Sequence, residues 1–317
     1  MYNFLKQFSA VLLLILCAIM TAQAEEDVSY LLTAASKGDV TTVNSMLASG
    51  ANPNAKDADG VTALMYAVRK DKVEAVNALI RQGADVNAKD NSGWTALMYA
   101  AKKNHFNSAE ALLTKGADSK IRDAAGWNAF DIAAAAGYFD TVSVLLKHNE
   151  DVSTKSESGK TALMHAAKSG DLQTITALLD HQVDIQAQDN TGITALMIAA
   201  RQGRAAAVTL LAKRGAAVNQ QDHAKWTALT WAVKKSQFDA AEALLGAGAN
   251  VDNLDGEGTP LLHIAVSNDN PAMVKLLLDK KAKVKAKDKY GLTALVYALQ
   301  GQNAEIVALI KNAGGSY

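Results

Sequence analysis

Histidine is the side chain best suited to move protons or ligate a metal near neutral pH, and this chain carries six. His148 and His181 stand one 33-residue period apart, each three residues ahead of an aspartate, Asp151 and Asp184. Imidazoles and carboxylates at that spacing are a metal-ligand set by type. The single cysteine, Cys17, lies in an N-terminal apolar stretch, so residues 25–317 hold no thiol for attack, for a thiolate metal site or for a disulfide. There is no phosphate loop, dinucleotide fingerprint, nucleophile elbow or paired-cysteine motif. The aspartates Asp57, Asp90 and Asp123 recur at a fixed spacing, as structural residues do, whereas a catalytic residue is normally unique. We expect no catalytic residue, no cofactor and no metal.

The chemistry that remains is recognition. Only four tryptophans occur, and Trp94, Trp127 and Trp226 each directly precede Thr95, Asn128 or Thr227. Trp231 follows shortly after, at the position that Tyr66 and Tyr99 hold elsewhere. Near these aromatics lie Lys37, Arg69 with Lys70, Lys102 with Lys103, Lys168, Arg201, and Lys234 with Lys235, with no acidic residue at equivalent places. A second basic row, Lys56, Lys89, Arg122, Lys155 and Lys287, precedes the turn aspartates or their equivalents. The formal net charge is zero, so this segregation carries more information than the total. Aromatic and basic residues on one face make interface hot spots and steer an acidic partner. Lys225 stands where Gly60, Gly93, Gly126, Gly159, Gly192, Gly258 and Gly291 stand in other copies, so it must either take an unfavourable backbone or adopt a different turn; in the second case the Asp222–Trp226 segment projects differently, as a candidate specificity element.

What must position these residues is a repeat. Thr62-Ala-Leu-Met-Tyr-Ala-Val returns at Thr95, Thr161, Thr194, Thr227 and Thr293 at a strict 33-residue period, with weaker copies at Ser29, Asn128 and Pro260. Copies therefore start near 29, 62, 95, 128, 161, 194, 227, 260 and 293. In each, the threonine can cap a short helix whose Ala and Leu recur at helical spacing. A second helix follows, as at Lys72-Val-Glu-Ala-Val-Asn-Ala-Leu-Ile80, and ends at a glycine such as Gly50, Gly83, Gly116, Gly215 or Gly248. A turn-rich connection, Ala84-Asp-Val-Asn-Ala-Lys-Asp-Asn-Ser-Gly93, leads to the next copy.

The period, the Gly-Ala-Asp-Val-Asn-Ala segment and the Asp-x-x-Gly-x-Thr turn resemble the ankyrin repeat across residues 25–317. The resemblance implies an all-α repeat solenoid of about nine stacked copies, each a helix pair with a turn finger, binding through the finger tips and first helices. It also accounts for His105 and His263 as ordinary family histidines and for polar residues at His148 and His181; His165 reads as a contact residue. The family's Thr-Pro-Leu-His becomes Thr-Ala-Leu-Met at Thr62, Thr95, Thr161 and Thr194, which leaves packing to replace a polar stitch. Pro271 suits the first turn of a second helix. Asn149 and Gln182 in place of the capping glycine, with Ser153 and Ser156 in place of Asn and Asp, point to a weak zone near 149–160.

Residues 1–24 read as a bacterial signal peptide: Lys6, the apolar run Val11–Met20, and a cleavage site ending at Ala24. We therefore expect a periplasmic protein, with full secretion as the second choice, no nucleic-acid partner and no membrane insertion after cleavage. The reading is a monomer that occludes an envelope enzyme of acidic or mixed surface, such as a peptidoglycan hydrolase, in an inhibitor, immunity or self-protection role. Scaffolding or stabilising a periplasmic enzyme, for instance in oxidative defence, and binding an anionic envelope polymer are the open alternatives.

Overall fold

The computed structural model describes residues 26–148 and 155–316. The signal segment, Cys17, Asn149, Asp151 and Ser153 lie outside the described residues. The described chain is all-helical, with eighteen helices. They follow one another as α1 (26–37), α2 (Val40–Ala48), α3 (Ala63–Arg69), α4 (Val73–Arg81), α5 (Ala96–Lys103), α6 (Phe106–Thr114), α7 (Ala129–Ala136), α8 (Phe139–Lys147), α9 (Ala162–Ser169), α10 (Leu172–Asp180), α11 (Ala195–Arg201), α12 (Ala205–Lys213), α13 (Ala228–Lys234), α14 (Phe238–Gly246), α15 (Leu261–Ser267), α16 (Pro271–Asp279), α17 (Ala294–Gly301) and α18 (Ala304–Asn312). Odd-numbered first helices alternate with even-numbered second helices. Contacts divide the chain into two compact units, Met1–Ala133 with Asp140–Glu150, and Ala134–Phe139 with Asp151–Tyr317.

Helices of seven to nine residues are too short to persist alone in water, and their ends are secured locally. Thr62, Thr95, Thr161 and Thr194 accept the backbone N–H of the methionine three residues on, at 3.3–3.4 Å. Thr227 does the same for Thr230 at 3.2 Å. Pro271 occupies the first turn of α16, as its fixed φ allows.

Each short helix is then buried against its neighbours. In the first unit α3 packs on α5, and α2 on α4 and α4 on α6; in the second, α9, α11 and α13 form one row and α10, α12 and α14 another. Fully buried alanines, Ala67 and Ala100 in one unit and Ala166, Ala199 and Ala232 in the other, let the first helices approach closely. Met65, Met98, Met164 and Met197 are about 98–99 % buried and fill the gaps between turns. His263, which keeps the family histidine, instead stitches through Nε2 to Leu292 O at 3.0 Å.

The fingers join by side-chain amides that bridge neighbouring copies. Asn54 donates to Gly83 O at 3.2 Å and accepts from Asp85 N at 2.7 Å; Gln186 repeats the bridge to Gly215 O and Ala217 N. The second basic row proves largely structural here. Lys56 and Lys155 donate Nζ to the backbone carbonyls of Lys89 and Gln188. Arg122 turns inward to Asp131 at 2.8 Å, where α7 carries a carboxylate in place of methionine.

At the expected weak zone, Gln182 takes the glycine's left-handed backbone at φ 57°. Ser156 Oγ accepts one backbone N–H, that of Lys160 at 3.1 Å, and shares a hydrogen bond with the Ser158 hydroxyl at 3.0 Å, where an aspartate accepts two backbone N–H groups. Lys225 takes the first of the two courses open to it. It adopts φ 59°, and Asp222 Oδ1 still accepts from Ala224 N and Trp226 N at 2.9 Å each. The turn is the one its glycine-bearing neighbours make, so Asp222–Trp226 does not project differently; the lysine carries the backbone strain instead.

Candidate protein-binding face

The turn aspartate of a finger organises the aromatics. In the first unit Asp57 Oδ1 accepts from Asp59 N and Val61 N at 2.9 and 2.8 Å, while its Oδ2 accepts the Tyr66 hydroxyl at 2.9 Å. Asp90 repeats the pattern, closing its turn on Ser92 N and Trp94 N and taking the Tyr99 hydroxyl at 2.6 Å. In the second unit Asp222 receives the Trp231 indole N–H at 2.9 Å, and Asp288 the Tyr297 hydroxyl at 2.6 Å. Two lone-pair faces of one carboxylate thus fix both the turn and a ring nine residues later. Sequence reasoning missed this clasp; its signal is an aspartate followed at that distance by Tyr or Trp.

The bond shows in the tyrosine ionisation. Burial, with the Asp90 bond behind it, pushes the Tyr99 hydroxyl up to about 12. The bond to Asp57 likewise raises Tyr66, and that to Asp288 raises Tyr297.

Onto these fixed rings fold the predicted contact residues. The first unit brings Tyr66, Arg69, Trp94 and Tyr99 together: Trp94 and Tyr99 lie 5.1 Å apart between centroids, and the Arg69 guanidinium sits 5.5 Å from the Tyr66 ring and 5.1 Å from that of Tyr99. The second unit brings Arg201, Trp226 and Trp231 together, with Trp226 and Trp231 edge to face at 4.6 Å and Arg201 5.1 Å over Trp231. Cation–π contact of this geometry holds a guanidinium without consuming its N–H groups. All four tryptophans are half-buried.

Lys70, Lys102, Lys103, Lys168, Lys225, Lys234 and Lys235 are exposed. Among the described residues none of them, nor Arg69 or Arg201, forms a salt bridge. The cations that do pair lie elsewhere: Lys147 with Glu110, Arg214 with Asp180, Lys283 with Asp252 and Lys289 with Glu257. The first-helix positions therefore keep their charge available to another molecule.

Three of the histidines are occupied by structure. His148 Nε2 is 3.1 Å from Glu110, His181 Nδ1 bonds Ala177 O on its own helix, and His105 Nδ1 bonds Val68 O. His165 is 93 % buried, which corrects its reading as a contact residue: the first helix turns it into the packed side. Asp131 is also buried, and loss of hydration raises its carboxyl above the ordinary range despite Arg122. Among the described residues no group of three or more His, Cys, Asp or Glu could hold a metal ion, and no helix is long and apolar enough to cross a membrane.

Paired short helices, clasped fingers and a face of unpaired cations and fixed aromatics define a repeat-built recognition module. A family model described as ankyrin repeats (3 copies) matches residues 31–123, 118–189, 183–255 and 229–316, and the chain belongs to the ankyrin-repeat family. Ankyrin repeats are protein–protein interaction modules, and proteins built from them are generally non-enzymatic. No curated relative matches the chain.

Proposed function

We propose that this ankyrin-repeat protein is exported to the periplasm and binds an envelope enzyme there, covering its active-site cleft. The observation that carries the reading recurs in each unit: Arg69 lies over a ring anchored by Asp90 in one and Arg201 over a ring anchored by Asp222 in the other, each amid unpaired lysines. Fixed aromatics with unspent charge are what a protein partner desolvates at an interface core. The segment 1–24 supplies the export address, and a peptidoglycan hydrolase is the class of enzyme whose activity a cell needs to restrain in that compartment. A binder without chemistry of its own acts by occlusion, by stabilising its partner or by holding it in place, and occlusion is the action that suits restraint of a lytic enzyme.

The test is direct. Purified protein added in excess to the peptidoglycan hydrolases of the same envelope should silence one of them. Full activity of every hydrolase would overturn the occlusion reading, and increased activity or half-life of an enzyme would point to a stabiliser instead. Mass spectrometry of the exported protein should find Glu25 as its first residue.

A further inference from the structure

Arg69 and Arg201 occupy the same place in the 33-residue period, one in each compact unit. Both end a first helix, and both lie 5.1 Å from the ring of an aromatic one copy on, Tyr99 or Trp231. That ring is held by its own finger's aspartate. Of the other four arginines, three spend N–H groups within the chain, Arg122 on Gly126 O and Asp131, Arg204 on Lys168 O and Arg214 on Asp180, while Arg81 stands exposed on α4 with no ring of the described residues beneath it. Among the described residues neither Arg69 nor Arg201 donates a hydrogen bond. Contact with the ring holds the guanidinium in place and leaves its N–H donors unspent, which is the state that favours a two-point bond to a carboxylate. The neighbouring lysines, Lys70 and Lys102 for one site and Lys234 for the other, bring no competing acid.

We infer that Arg69 and Arg201 are two carboxylate receptors of one design, each binding an acidic side chain on an extended Asp/Glu-rich segment of the protein partner. The inference rests on the proposed protein-binding function and specifies the partner's chemistry. The aromatic under each guanidinium sets the orientation, and the lysines draw the segment in.

The probe is a fluorescein-labelled decaglutamate peptide, with decaglutamine as control, titrated into the full-length expressed protein by anisotropy. The peptide should bind and the control should not. Wild type should take up two peptides; Arg69→Ala and Arg201→Ala should each abolish one of these sites, and the double variant should bind about tenfold more weakly or worse, the share of one charge-assisted hydrogen bond. Arg69→Lys should lose nearly as much, because an ammonium can neither stack nor offer a planar fork. Arg81→Ala removes the same charge from an exposed place on α4 and should change binding less than twofold. An unaffected Arg69→Lys, or an equal loss in Arg81→Ala, would show that net charge alone attracts the peptide and overturn the inference. Polyphosphate competing equally well in wild type and Arg69→Ala would overturn it in favour of a polymer. If the peptide fails to bind while a hydrolase is still silenced, the receptors are wrong and the proposed function stands.

Discussion

The Trp231 indole N–H donates to Asp222 Oδ2 at 2.9 Å, on the same carboxylate whose Oδ1 closes the finger turn. Trp226 then packs edge to face on Trp231 at 4.6 Å, and Arg201 caps the ring from the preceding first helix. Turn, aromatic and cation are one assembly, so a change in any of them should register in the others.

Tyr99→Phe tests that coupling in the first unit. It removes the hydroxyl and leaves Asp90 Oδ2 without its 2.6 Å donor. Urea unfolding should show a loss of about 1 kcal/mol, and the emission of Trp94, 5.1 Å from the ring, should shift. In alkaline absorbance titration the wild type should show one tyrosine ionising near 12 that the variant lacks. A folded state that keeps this proton loses stability as pH rises above the ordinary phenol range of about 10.

Arg122→Ala should be among the more damaging single changes on the fingers. It strands Asp131, which is 98 % buried, whereas Arg122 itself is 23 % exposed. The expected cost at neutral pH is about 3 kcal/mol, the lower end for a broken buried pair. Burial already raises the Asp131 carboxyl, so its protonation on acidification should shrink the difference between variant and wild type. A difference that stays constant from neutral to acid pH would contradict this account.

His263 gives a slope of opposite sign. A carbonyl accepts from its Nε2, so the ring's proton sits there, and Nδ1 has no partner for a second one. Burial accordingly holds its pKa below the ordinary histidine value. Between the two pKa values the unfolded chain binds the extra proton, so stability is full above about 6.5 and falls as pH drops below it. His263→Met, the residue four other copies use, should flatten the decline of thermal midpoint on acidification relative to wild type.

Lys225→Gly separates backbone strain from recognition. A lysine at φ 59° carries roughly 1–2 kcal/mol that glycine does not, partly offset by glycine's freedom in the unfolded chain. The melting temperature should rise modestly. A simultaneous loss of partner affinity would assign the exposed Lys225 side chain to the interface.

The period, Thr-Ala-Leu-Met and the capping glycines made the helix pairs and fingers legible, because capping and small-residue packing are local and repeat at every copy. Thr95 capping Met98 and Pro271 opening α16 follow from nearest-neighbour chemistry alone. Spacing along the chain singled out the aromatics and cations that the structure groups around the rings, but not their arrangement. Lys56 and Lys155 looked like surface charge, yet their long stems reach carbonyls one copy away. Arg122 resembled them and instead neutralises a buried acid. His165 alternates with aromatics in the sequence and is nonetheless packed inside. Each of these depends on side-chain reach across copies, which spacing along the chain does not encode.

The central claim is that a protein docks on the first-helix face. Photo-crosslinking in intact cells tests it most directly, with p-benzoylphenylalanine placed at Lys103 at the end of α5 or at Glu74, exposed on α4. The account predicts one discrete protein adduct from position 103 and none from position 74. Adducts from position 74 alone, or none from position 103, would contradict it.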